Sequence, residues 1–275
     1  NDLEHFYENP HQDLTEIDLT FRDYCLFQDA FGKTKAFHDA KKYWVARLSG
    51  LPDGPKLPVV EAIHLIETPI SGRRSHRIEA PAWSALKRLA QTSGVTPTVF
   101  LLTIFAKVLA NWCTDKSFCL NLTLFNRLPI HPQINQIVGD FTTLILLAID
   151  VDPAKTIGEL CLIVQKQLQT DLHHRHLSGV QVQRELRNQG RADVSFPVVF
   201  TSTLGFDRSN QSPMAELVYS MSQTPQVWID SQVSESDGIL NIDWDCIENI
   251  FEEGVLDDMF VSYCDVLTTL TDSVT

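Results

Sequence analysis

No stretch of this chain stays apolar for the ~18 residues that a membrane-spanning helix requires. The nearest contender, Val99 to Leu109, is interrupted by Thr103 and Lys107. The opening Asn1-Asp-Leu-Glu-His is too polar for a secretory signal peptide. Positive charge is scarce: 22 Lys and Arg stand against 35 Asp and Glu, a net charge of -13. That balance repels phosphate backbones and anionic lipid, and argues against nucleic acid or a membrane as partner. The six cysteines (Cys25, Cys113, Cys119, Cys161, Cys246, Cys264) form no Cys-x-x-Cys pair, and most lie in apolar periodic segments. This is the pattern of buried free thiols in a cytoplasmic protein rather than of a disulfide framework. Internal repeats are absent, as is any metal, nucleotide or flavin signature.

What is present is globular material: 44% hydrophobic and 21% charged residues over 275 positions, enough for one large core or two small ones. Residues 1–20 are acidic and broken by Asn9-Pro10, which predicts a short helix, a loop and an extended entry. Phe21 to Leu48 is helical in composition with a break at Gly32. Pro52, Gly54, Pro55, Pro58 and Pro69 then predict a linker laid over a surface. The chain thus divides into a helical tail (1–49), a linker (50–72) and a main body (73–275).

The main body opens with a predicted strand, Arg74 to Glu79, and two helices, one from Pro81 to a stop at Gly94, one from Thr96-Pro97 to Trp112. The second is apolar almost all round and should be buried. Strands are predicted from Phe118 to Phe125 and from Phe141 to Val151, the latter apolar enough to be covered on both faces. A capping box, Thr156-x-x-Glu159, opens a further helix. Ile239 to Asp245 reads as a strand, and Leu256, Phe260, Tyr263, Leu267 and Leu270 recur at helical spacing. Strands and helices alternate without strict βαβ regularity, which predicts an α/β (α+β) chain, a mixed β-sheet packed with helices.

Between these lie two strand-like pieces, Phe196-Pro-Val-Val-Phe-Thr-Ser-Thr-Leu-Gly205 and Ser222-Gln-Thr-Pro-Gln-Val-Trp-Ile-Asp-Ser-Gln-Val233. In the second, a period of two puts Gln226, Trp228, Asp230 and Gln232 on one face. A face with a carboxylate, two amides and an indole meets solvent or lines a wet cavity. Two adjacent strands could bring Thr201 and Asp230 face to face. Burial beside Trp228 would lift the carboxylate from about 4 toward neutrality, where one group can both take and give a proton. The alternative is a strand-edge carboxylate in water and a β-branched filler.

In chain order, Phe21-Arg-Asp-Tyr24, Asn121-Leu-Thr-Leu-Phe-Asn-Arg127, Val138-Gly-Asp-Phe-Thr142, Pro197-Val-Val-Phe-Thr-Ser202, Ser222-Gln-Thr-Pro-Gln-Val227 and Gly254-Val-Leu-Asp-Asp-Met259 resemble the blocks of a heterocyclization domain of nonribosomal peptide synthetases, a variant of the condensation domain. The resemblance covers nearly the whole chain but not the whole family domain, whose first lobe is mostly absent. It implies a chloramphenicol-acetyltransferase-like lobe preceded by the helical tail of the first lobe. The implied reaction joins an acyl thioester to a carrier-held Cys, Ser or Thr and then cyclodehydrates the amide to a thiazoline or oxazoline, as in siderophore-type peptides. The implied partners are carrier domains upstream and downstream, with their phosphopantetheine arms, and an adjacent adenylation domain; no cofactor is bound directly.

By the same resemblance Thr201, Asp230 and Asn126 are the catalytic residues, and Ser202, Gln223 and Trp228 face substrate. A structural Asn126 that satisfies the turn before Pro129 stands beside its catalytic reading. Asp140 is read as fixing a turn. His173-His-Arg-His-Leu-Ser-Gly179 imitates the histidine signature of ordinary condensation domains but lies in the wrong lobe, and is read as a solvated helix end rather than a metal site. Asp13/Asp18 and Asp18/Asp23 match the spacing of the family's Asp-x-x-x-x-Asp-x-x-Ser motif, yet Phe21 and Leu26 occupy the serine position. Without that motif the fragment by itself is expected to be inactive. Two other classes remain open, an amide-forming condensation domain without cyclisation and a non-catalytic carrier-docking module.

Overall fold

The computed structural model describes residues 2–61, 63, 66–206, 218–224 and 226–272. Three helices come first, α1 (Asp2–Glu8), α2 (Phe21–Phe31) and α3 (Lys35–Arg47). The main body follows as β1 (Ser71–Ile78), α4 (Ala80–Thr92), α5 (Pro97–Trp112), β2 (Ser117–Phe125), β3 (Thr142–Asp150), α6 (Ile157–His173), α7 (Gly179–Asn188), β4 (Val198–Ser202), β5 (Ile229–Ser236), β6 (Ile239–Ile247) and α8 (Val255–Asp272).

Helix starts follow local chemistry. Thr96 caps α5 by accepting from the Val99 amide, with Pro97 in the first turn where no amide donor is needed. The capping box at α6 forms in both directions: the Glu159 amide donates to Thr156 Oγ1 at 3.3 Å and the Thr156 amide to Glu159 Oε2 at 2.9 Å. Gly94, at φ 72°, takes the left-handed turn that ends the preceding helix.

The strands form one mixed sheet in the order β1-β6-β5-β4-β2-β3. β2 runs parallel to β4 and β4 to β5, and the other pairs are antiparallel. One face is packed with α4, α5, α6 and α8. There Phe105 of α5 meets Phe200 of β4, Trp244 of β6 and Tyr263 of α8 at ring distances of 5.2–5.9 Å. On the other face α7 covers the β3 side, and the remainder opens into a cavity. β3 lies at the sheet edge, yet Ile145, Leu146 and Leu147 are all buried because α6 and α7 take one face each. Among the described residues no single helix is long and apolar enough to cross a membrane, and all six thiols are free, five of them buried.

The expected surface linker is embedded instead. Leu51, Gly54, Pro55 and Leu57 are buried, and Val59 bridges to Phe251. The Gly54 amide donates to the Ser195 carbonyl at 3.1 Å, and a Cβ at Gly54 would lie 2.5 Å from that oxygen. Only glycine lets the two backbones come so close. Ala40, Trp44 and Leu48 of the preceding segment join the main hydrophobic core. Among the described residues α2 has a separate small core: Tyr24, with Leu19 ahead of the helix, against Ile134, Ile137 and Phe141.

Candidate active site

The sheet register decides which side chains meet. Val199 pairs with Asn121 of β2 on one side and Asp230 of β5 on the other, and Asp230 pairs with Asp245 of β6, itself opposite Arg73 of β1. Every second residue therefore points to the open face, giving Thr123, Thr201, Asp230, Gln232, Asp245 and Arg73 a common side. Their polar atoms form one hydrogen-bonded row. Thr123 Oγ1 lies 2.9 Å from Thr201 Oγ1, and Thr201 Oγ1 donates to Asp230 Oδ1 at 3.0 Å. Gln232 Nε2 donates to Asp230 Oδ2 at 3.0 Å and to Asp245 Oδ2 at 2.9 Å. Arg73 closes the row with two bonds to Asp245, 2.6 and 2.7 Å. With the Thr201 proton committed to Asp230, the donor in the threonine pair is Thr123.

Thr201 and Asp230 line the same cavity of about 1120 Å³, together with Asn121, Thr123, Gln232 and residues of α7 such as Val180 and Gln183. Asp230 is 8% exposed. Burial pushes its carboxyl above the ordinary range, against the pull of the bonds from Thr201, Gln232 and Ser222, and the nearby Asp245 charge adds to the rise. A carboxyl held in this way can accept a proton and return it. Asp230 also reaches a second cavity of about 360 Å³, bounded by Ser222, Gln223 and Thr224.

The other anticipated residues are placed differently. Ser202, next in sequence to Thr201, points to the opposite, helical face and lies 3.0 Å from Thr98 Oγ1 of α5. That inversion is the pleat of the strand. Trp228 precedes β5 and packs against the main core rather than lining either cavity. The alternation read through 222–233 fails because Gln226 adopts φ 68° and the Val227 amide closes a turn onto the Thr224 carbonyl, so the strand begins only at Ile229. Pro225 of that block lies outside the described residues. The Asp230 carboxyl is thus desolvated by general enclosure, without an indole beside it. Gln223 is exposed and borders the smaller cavity.

Asn126 lines a neighbouring cavity of about 390 Å³ with Gln28, Phe31, Asp140 and His176. Its backbone accepts from Tyr24 and donates to the Phe141 carbonyl, so it also fastens the α2 core. Asp140 accepts from the Thr142 amide at 2.8 Å, the turn-fixing role its sequence context implied.

The imitations fall away on geometry. His174 stacks on Tyr43 at 4.0 Å, His176 packs on Phe31, and Ser178 caps α7. Among the described residues no cluster of His, Cys, Asp or Glu could hold a metal ion. Asp23 closes a capping box with Thr20, and Asp13 and Asp18 are exposed. Sequence reasoning missed Thr123, Asp245 and Arg73. The only local trace was the Asp243-Trp-Asp245 run, an acidic alternation around a buried indole.

The mixed sheet, helical on one side and hollow on the other with a buried carboxyl at its centre, is the frame of a condensation-type lobe. The chain belongs to the condensation domain family, whose model matches residues 1–274. Within that family, pyochelin synthetase PchF of Pseudomonas aeruginosa is 37% identical over 97% of this chain and 15% of its own length. Phenyloxazoline synthase MbtB of Mycolicibacterium paratuberculosis is 36% identical over 95% of the chain and 23% of its own length. The solved cyclization-docking bidomain of the synthetase EpoB from Sorangium cellulosum superposes with a TM-score of 0.86 at 34% identity, covering 98% of this chain and 56% of that one. The chain thus spans less than a quarter of either curated relative.

Proposed function

We propose that this chain forms the acetyltransferase-like half of a nonribosomal peptide synthetase heterocyclization domain, which makes an amide with carrier-bound Cys, Ser or Thr and closes it to a thiazoline or oxazoline. The observation that carries the reading is the Thr201 Oγ1 to Asp230 Oδ1 bond inside the large cavity, on a carboxyl whose pKa burial has raised. The relatives named for oxazoline synthesis and for cyclization support the ring-forming branch. Phosphopantetheine arms of upstream and downstream carrier domains deliver both thioesters, and an adjacent adenylation domain loads the acceptor.

In the condensation step the acceptor amine attacks the acyl thioester carbonyl and the donor thiol leaves. In ring closure the acceptor's own thiol or hydroxyl adds to the new amide carbonyl, giving a tetrahedral carbon that bears a hydroxyl. Asp230 takes the proton released as the nucleophile adds. It passes that proton to the former carbonyl oxygen, making the hydroxyl, then takes the ring nitrogen's proton and delivers it to the departing hydroxyl, which leaves as water as the C=N bond forms. Thr201 holds Asp230 Oδ1, and Gln232 holds Oδ2, so the carboxyl plane is fixed toward the substrate. Ser202, Gln223 and Trp228 lie off this row; of these, Gln223 borders the smaller cavity, which supports reading it as a substrate contact.

In the full-length protein supplied with loaded carriers, Asp230→Ala should lower ring formation by about 10²-fold or more, the usual scale of a lost general acid–base. The open-chain amide should accumulate, read by mass spectrometry of the carrier-bound product. Ring formation at the wild-type rate overturns the assignment, and an acyclic product from the wild type identifies a plain condensation domain.

A further inference from the structure

Beyond the threonine–aspartate pair, the open face holds a second buried carboxylate that the proposed chemistry does not use. Asp245 sits one strand over from Asp230, and one side-chain amide bridges the two, since each hydrogen of Gln232 Nε2 goes to a different carboxylate. Asp245 also accepts from the Ser222 amide at 2.5 Å, which fastens the segment running over the site. Its charge is matched by the two-pronged bond from Arg73, whose guanidinium stands over the Tyr219 ring at 5.8 Å.

We infer that Arg73 and Asp245 are positioning residues for Asp230: together they aim the Gln232 amide at its carboxyl and hold the field around it neutral. This rests on the reading of Asp230 as the proton-transfer group. Without Arg73, two carboxylates would share one amide in an enclosed site, and like charges at that range cannot both ionise freely. Without Asp245, the Arg73 cation would face Asp230 uncompensated. Among the described residues the remaining charged groups around the site can be named. Asp243 on β6 is bound by Ser75, and Asp140, Asp193 and Arg187 stand on the wall of the large cavity. Among the described residues, the elements against Asp230 also present the hydroxyls of Thr201, Thr123, Ser222 and Thr224, the Gln226 amide and the Tyr219 ring.

The pair therefore makes a prediction of opposite signs. In the full-length protein, Arg73→Gln should move the acid limb of the ring-closure pH profile up by about one unit, and Asp245→Asn should move it down by a similar amount. The double variant should return toward wild type, and Arg73→Lys should restore much of the single loss. A carboxyl ¹³C-NMR titration of Asp230 gives the same reading without relying on turnover. Shifts of the same sign in both single variants, or none, overturn the inference, because a merely structural salt bridge would change stability without steering the Asp230 titration in opposite directions. Retained ring formation by Asp230→Ala, with the opposite NMR shifts intact, would instead overturn the reaction assignment and leave the electrostatic pairing standing.

Discussion

Asp230 is held in a tension between burial and hydrogen bonding. Its folded-state pKa lies above the unfolded value near 3.8, so its contribution to stability is complete below that value and is lost as pH rises through the raised one. Asp230→Asn removes the ionisation. The melting temperature of the variant minus that of wild type should therefore become more positive between pH 4 and pH 8, measured by calorimetry in matched buffers. A flat or falling difference would mean that the carboxyl is well solvated. Thr201 and Ser202 teach the complementary lesson. Adjacent in sequence and both hydroxylated, they serve opposite faces, one at the cavity and one against α5.

Strands and helices were legible wherever a local rule governs them. The Thr96-Pro97 start, the Thr156/Glu159 box and the Leu256-to-Leu270 spacing all mark observed helices. The start of β5 was not, because the left-handed turn at Gln226 belongs to a residue without a glycine's freedom, and the chain rejoins the sheet only after it, where the Trp228 amide donates to the Pro197 carbonyl at 2.7 Å. The docking of α2 turns on another close approach. A Cβ at Gly139 would fall 2.1 Å from the Phe21 ring, which is itself wedged against Tyr24 and Phe141. Gly139→Ala should undock α2 while sparing the sheet, visible as faster proteolysis ahead of Lys35 with little change in the main thermal transition.

The main core runs through the boundary that proline and glycine suggested near residue 50. Trp44 has no exposed surface, donates through its indole to the His174 carbonyl and lies in the same cluster as the sheet and its helices. Tyr43 and Arg47 beside it converge on the buried Asp171 of α6. Trp44→Ala should then destabilise the entire body, by about 3–5 kcal/mol as for other buried aromatics, with a single cooperative transition in urea. Loss of a separate early transition alone would restore the picture of an appended tail.

Periodicity and caps established the fold class, because the alternation of a strand and the start of a helix are set by neighbours a few residues apart, while Thr201 and Asp230 were singled out by the resemblance of the ordered blocks from Phe21 to Met259. The hydrogen-bonded row from Thr123 to Arg73 was beyond that reach. Its members come from five strands whose register is fixed only when the sheet assembles and the helices seal its far side. That assembly also desolvates Asp230, and the desolvation gives an ordinary aspartate its unusual proton affinity.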